Sequence, residues 1–235
     1  MKISKMGVLY VDHMGSDVSV VNSARVSTAN DNRFKTEIDS KDEGLIRYLA
    51  RFKHNSPFMH NSITLKLKVP IFVARQLAKH QVGGVINEVS RRYVDEEPEF
   101  YFPDSWRARP EKSIKQGSGG VIDFDDSFMY DAVQTCLDAY NHALDNGVAP
   151  ELARMVLPQN MMTEFYWTGS LFFFDRVRYF RVDHHAQEES RQIGNMIATE
   201  CEKLFPVSWK ELGKNKLTPD PVTKSFWTKV KELFN

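Results

Sequence analysis

SITLKLKVPIFVARQLAKH, residues 62–80, carries two different periodicities side by side. Ile63, Leu65, Leu67 and Val69 alternate with Thr64, Lys66 and Lys68, which predicts a half-buried strand with one wet face. At Pro70 the repeat changes. Proline suits the first turn of a helix, and Val69, Phe72, Val73, Gln76, Leu77 and His80 then fall on one side of it, with Gly83 and Gly84 as the stop. Working outward, Val8–Val11 predicts a short strand, and Ser16 or Asp17 can cap a helix through Ala24. KDEGLIRYLARFKH (41–54) places Leu45, Ile46, Leu49 and Phe52 on one helical face, with acids in the first turn and bases later, matching the helix dipole. Further helices are expected over 124–146, 150–157, 160–180 and 186–204. The polar, glycine-rich 107–120 predicts a mobile loop, and TPDPVTKSFWTKVKELFN (218–235) a short amphipathic helix. No internal repeat or second domain is evident. The expectation is an α+β fold, one catalytic domain over 1–235 with its core at about 8–206 and a tail from about 212, built on a small antiparallel or mixed sheet surrounded by helices.

The 235 residues are 42% hydrophobic, enough for a sizeable core, and 31 basic residues balance 31 acidic ones. Without a global field, neither nucleic acid nor a membrane surface is an expected partner, and any anion site must be local. Cys136 and Cys201 form no metal-ligand or redox pair. Both fall among apolar residues at helical spacing (Phe128, Ala132, Val133, Leu137, Tyr140 and Leu144 around Cys136), so both are expected in the core as reduced thiols. No signal-peptide segment opens the chain and no apolar run approaches the ~20 residues of a membrane span. A cytoplasmic protein is expected.

Three stretches could carry chemistry. KHQVGGVINEVSRRY (79–93) mixes two glycines, which allow close backbone approach to a ligand, with cations and one acid. Arg92 can fork onto a phosphate and Ser90 can donate to it, whereas Glu88 would repel it and should face a sugar hydroxyl or base N–H. That combination describes a nucleotide, or else a solvated loop. FRVDHHAQEE (180–189) follows an aromatic run and can be read three ways: a metal-binding Asp-His-His cluster as in a phosphohydrolase, a helix cap, or, through Arg181, recognition of a heterocycle's carbonyls. HNSPFMH (54–60) flanks a Pro-stiffened turn with His54 and His60. Arg154 sits among apolar neighbours in PELARMVLPQN. Ser90 lies in no nucleophile elbow, and neither a dinucleotide-binding GxGxxG nor a phosphate-binding Walker loop is present.

With these residues assembled, the chain resembles the flavin-dependent thymidylate synthases. The resemblance runs from about Val8 to Pro206 through SARVS (23–27), SPFMH (56–60), PIFVARQ (70–76), NEVSRRY (87–93), FYFP (100–103), ARMVLP (153–158), EFYWT (164–168) and RVDHHAQ (181–187). The sequence departs from the family signature, RHR followed by seven residues and Ser: it has KHQ at 79–81 and eight residues before Ser90. Lys79 keeps a charge without the planar fork, and Gln81 has none. The resemblance implies a homotetramer with shared active sites, FAD as cofactor, dUMP as substrate, and NADPH and methylenetetrahydrofolate as co-substrates. It assigns Ser56, Lys79, His80, Gln81 and Glu88 to the flavin. Ser170 and Arg176 occupy positions where the family has flavin-contacting asparagines, and His54 lies near flavin and folate. Gln76, Lys79, Glu88, Val89, Ser90, Arg91, Arg92, Arg154 and Arg181 match the dUMP site. Arg181 would act at the uracil edge, as a fixed cation where negative charge develops. The alternatives are a metal-dependent nucleotide phosphohydrolase and a non-catalytic nucleotide-binding protein.

Overall fold

In the computed structural model, which describes residues 1–27, 34–94, 96–110 and 117–214, Ser62–Pro70 is a strand whose Ile63, Leu65, Leu67 and Val69 are all 0% exposed. Each such side chain contributes roughly 1.5–3 kcal/mol on burial, so the two-residue period alone commits one face of the sheet to the core. The elements in chain order are β1 (Lys2–Ile3), β2 (Gly7–Met14), α1 (Asp17–Val26), α2 (Ser40–Arg51), a 3₁₀ turn (Ser56–Met59), β3 (Ser62–Pro70) and α3 (Ile71–Leu77). There follow β4 (Gly84–Glu88), β5 (Glu99–Phe100), β6 (Trp106–Arg107), β7 (Val121–Ile122), α4 (Ser127–Asp145) and α5 (Pro150–Ala153) with a 3₁₀ turn at Arg154–Val156. β8 (Met162–Gly169), α6 (Leu171–Arg181), α7 (Glu188–Leu204) and α8 (Pro206–Lys214) complete the described residues. The expected tail helix at 218–235, and 111–116 of the expected mobile loop, lie outside them.

The fold is α+β. Its main sheet is antiparallel in the order β2-β3-β8-β4. One face packs with α1, α3, α6 and α7 into a core that includes Trp167, Phe174, Val177, Ile193 and Ile197. A smaller cluster of Phe100, Phe102, Val133, Leu137, Tyr140, Ala153 and Met161 lies under α4. Ser16 caps α1 as expected, in a capping box with Ser19. Asp17, 5% exposed, reaches across the fold and accepts from the backbone N–H groups of Val207 and Ser208 at 2.9 and 2.8 Å. It thereby fastens the start of α8, a helix the periodicities did not single out.

Three expectations need correction. Residues 160–180 are a strand and then a helix. Thr163, Phe165, Trp167 and Gly169 are buried while Glu164, Tyr166 and Thr168 are not, a two-residue period that ends where Ser170 caps α6 by accepting from Phe173 N–H at 3.1 Å. Residues 84–88 form β4 rather than a glycine loop, because β8 offers its free edge there. Cys136 is only half-buried, and Phe128, expected on its buried face, is 79% exposed. Cys201 is buried as expected. Among the described residues no helix is long and apolar enough to cross a membrane.

Candidate active site

The paired glycines explain how the site is framed. Gly83 turns the chain with φ +86°, a conformation that favours glycine. Gly84 pairs with Gly169 across β4 and β8, and the Phe173 ring lies over both. A Cβ on Gly84 would lie 2.3 Å from Phe173 Cζ, and one on Gly169 2.2 Å from its Cδ1. The close approach foreseen for these glycines is therefore to an aromatic ring of the same chain, and it locks α6 against the end of β4.

The first group of site residues lies where the last turn of α6 meets the end of α3. Arg181, in the last turn of α6, donates from Nε to His80 Nε2 at 2.9 Å and from Nη2 to the Gln76 carbonyl at 2.7 Å. Since His80 Nε2 accepts, the neutral ring carries its proton on Nδ1. Burial, then the charges of Arg181 and Arg176, push His80 down to about 4, and burial lowers Arg181 from its ordinary value. The side chain of Gln76 is engaged within the chain: Nε2 donates to Gln187 Oε1 at 2.5 Å, and Oε1 accepts from the Ser190 hydroxyl at 2.9 Å. Lys79 and Gln81 are exposed beside His80, and Arg176 is half-buried one α6 turn before Arg181.

Neutral His80 gives one prediction. Between pH 6.5 and about 4 the unfolded chain takes up a proton that the native site refuses, so native stability falls as pH drops through that window. Melting temperatures measured across it should decline less steeply in His80→Gln than in the parent; equal slopes would show that His80 stays charged.

The second group gathers at the far end of β4, around a cleft of about 950 Å³ lined by Glu88, Val89, Arg91, Glu151, Arg154 and Thr163, among others. Thr163, unforeseen, donates its hydroxyl to Glu88 Oε1 at 2.7 Å and so aims that carboxylate. Arg92 pairs with Glu151 at 3.5 Å, and Arg154 Nε donates to the Glu151 carbonyl at 3.3 Å. Arg91 donates to the Glu96 carbonyl, and Ser90 Oγ accepts from Arg92 N–H at 3.3 Å. An arriving anion would therefore compete with Glu151 for Arg92.

Other expected site residues stand differently. The Ser170 hydroxyl accepts at the α6 cap and keeps its own proton to donate. Ser56 is exposed on its 3₁₀ turn, and the ring of exposed His54 stacks on Tyr48 with centroids 5.9 Å apart. Asp183 accepts from the backbone N–H of His185 at 2.8 Å, closing its own turn, and does not cap α7. Asp183, His184 and His185 bring potential ligand atoms within 4.8 Å of one another, all exposed. A second cavity, about 460 Å³, is lined by Phe72, Tyr101, Phe102, Trp106, Arg107, Cys136, Gln187 and Glu189 among others. It contains none of the residues expected at the site.

The chain is similar to known proteins along most of its length. The family described as "Thymidylate synthase complementing protein" matches residues 10–207. A flavin-dependent thymidylate synthase of Thermus thermophilus is 37% identical over 208 residues, spanning 88% of this chain and 75% of the relative. One from Kosmotoga olearia is 36% identical over 213 residues, with 88% and 90% covered. Among solved structures, a UMP/dUMP methylase, PolB from Streptomyces cacaoi, bound with 5-Br dUMP, superimposes with a TM-score of 0.80 at 32% identity, covering 90% of this chain and 96% of that one.

Proposed function

The chain belongs to the flavin-dependent thymidylate synthase family, and from that membership we infer how its two groups of residues divide the methylation of dUMP to dTMP. The observation that carries this reading is Arg181, half-buried and held by both His80 and the Gln76 carbonyl, so that its charge is fixed before any substrate arrives. Arg92, Arg154 and Ser90 hold the 5′-phosphate, with Arg91 and Val89 beside them. Glu88, aimed by Thr163, addresses the sugar. Gln76 and Lys79 close the uracil side, where Arg181 stabilises negative charge on the N3–O4 edge and makes C5 nucleophilic. A thiolate at C6 has no candidate among the described residues: burial pushes the Cys201 thiol up, and Cys136 faces the second cavity.

The donor set suits a flavin dinucleotide. The charges that act on His80 are both cations, Arg181 and Arg176, and exposed Lys79 and Gln81 adjoin it. That concentration of positive charge and N–H donors matches a diphosphate and a polar ring system. Lys79, His80, Gln81, Arg176, Ser56, Ser170 and Glu88 would hold FAD, with His54 toward the folate; the Ser170 hydroxyl accepts at the α6 cap and keeps its proton to donate. When bound, the flavin supplies the reducing electrons that turn the transferred one-carbon unit into a methyl group. Methylenetetrahydrofolate as carbon donor and NADPH as reductant complete the reading, in a single catalytic domain of the reducing cytoplasm.

The first group is built by the ends of α3 and α6 and the second by the end of β4 with the Glu151–Arg154 turn. In the homotetramer that the resemblance implies, a second copy would complete each site. Purified protein supplied with FAD, NADPH, methylenetetrahydrofolate and dUMP should form dTMP. Metal-dependent release of phosphate from dUMP in its place would overturn the reading.

A further inference from the structure

Glu189 is 2% exposed and belongs to neither group of site residues, yet hydrogen bonds lead from it to Gln76, through Gln187, and to Arg107 of β6. Its Oε2 accepts from Gln187 Nε2 at 2.8 Å, and its Oε1 accepts from Arg107 Nη2 at 2.5 Å and from the Tyr101 hydroxyl at 3.4 Å. Burial alone would raise its carboxyl, but Arg107, its own backbone N–H and Gln187 hold it below the ordinary value, so it stays an anion. An ionised carboxylate can only accept. Facing one, Gln187 must present its NH₂ group, which turns its carbonyl oxygen toward Gln76. Gln76 must then present its own NH₂ to Gln187 and its oxygen to Ser190. Amide groups are otherwise free to flip, because their two ends are nearly the same shape. The buried charge thus sets the sense of the chain from Gln187 onward, and the Phe72 carbonyl, accepting from Gln76 Nε2 at 3.4 Å, favours the same sense.

We propose that Glu189 is a positioning residue for the nucleotide site: it sets the amide orientation of Gln187 and Gln76, and so fixes the residue whose backbone carbonyl holds Arg181. The inference rests on the assignment of Gln76 and Arg181 to dUMP. With glutamine at 189 an NH₂ group faces Gln187, and the chain can relax only by reversing both amides. Gln76 then turns its oxygen to Gln187 and loses the acceptor it offered to Ser190. Exchanging the two residues, Glu189→Gln with Gln187→Glu, restores the original sense: position 187 again offers only acceptors to Gln76, and the new amide at 189 donates to that carboxylate and accepts from Arg107.

The test is calorimetric binding of dUMP to the FAD-loaded protein, with flavin content and melting temperature measured alongside. Glu189→Gln should bind dUMP roughly tenfold more weakly, about the worth of one charge-assisted hydrogen bond, with flavin content unchanged. The exchanged double variant should regain most of the loss, which a general loosening of the fold would not allow. Should Glu189→Gln fail to fold, Gln187→Met severs the chain while leaving the Arg107–Glu189 pair in place, and the same weakening is expected. Parent-like binding by these variants, or no recovery on exchange, overturns the proposal. A parent protein that binds no dUMP would instead remove the nucleotide reading beneath it.

Discussion

Arg181→Ala is expected to leave a flavin-loaded protein that forms dTMP roughly a thousandfold more slowly, the upper range for removing one preorganised group that stabilises transition-state charge. The size of the effect follows from the surroundings of the guanidinium. It is half-buried, which strengthens its field on neighbouring atoms relative to water. Among the described residues its two hydrogen-bond partners, His80 Nε2 and the Gln76 carbonyl, are neutral acceptors that do not cancel its charge. Because the cation matters most where charge develops, kcat and kcat/KM should fall together. Flavin reduction by NADPH, followed by bleaching of the flavin absorbance, should continue. Arg181→Lys keeps the charge but cannot satisfy both acceptors from a planar fork, and should fall between the two. Turnover unchanged in Arg181→Ala would remove this residue from the chemistry.

Gly169→Ala carries the largest expected loss of stability. The added methyl would sit 2.2 Å from Phe173 Cδ1, and Phe173 is 3% exposed with Trp167 and Phe174 rings at 5.3 and 5.1 Å. The ring has nowhere to go, and overpacking of this kind costs about 3 kcal/mol. For a chain of this length that lowers the melting temperature by roughly 6–12 °C. Gly84→Ala meets the same ring from the opposing strand and should behave alike. Combining Gly169→Ala with Phe173→Leu should recover part of the loss. Gly44→Ala, with nothing within 4 Å of the new Cβ in the exposed face of α2, should be neutral or stabilising by up to about 1 kcal/mol. A Gly169→Ala protein that melts with the parent would mean that the Phe173 wedge is not tight.

β3 was legible because four apolar residues alternate strictly with polar ones over a span too short for a helix. β8 was not, because Met161, Met162, Phe165 and Trp167 run into Leu171 and three phenylalanines, and the combined apolar run has helical length. The break is Gly169-Ser170, and its significance lies in contacts: a ring over the glycine and a cap from the serine. β4 looked like a loop because Gly83 and Gly84 are turn residues. It became a strand because an edge of β8 was open to it.

The site divides in the same way. Side-chain chemistry alone left residues 79–93 open between a nucleotide site and a solvated loop; family, flavin and dUMP came from the resemblance carried by the ordered motifs between SARVS (23–27) and RVDHHAQ (181–187). What the tertiary structure alone decided is which residues meet. Arg181 reaches His80 from 101 positions away and Gln76 from 105, Glu88 is aimed by Thr163 from 75, and Gln76 is tied to Gln187 from 111. Such pairings are set by packing α6 and β8 against α3 and β4. Only a folded chain brings a donor and an acceptor within 3 Å while excluding the water that would otherwise serve both.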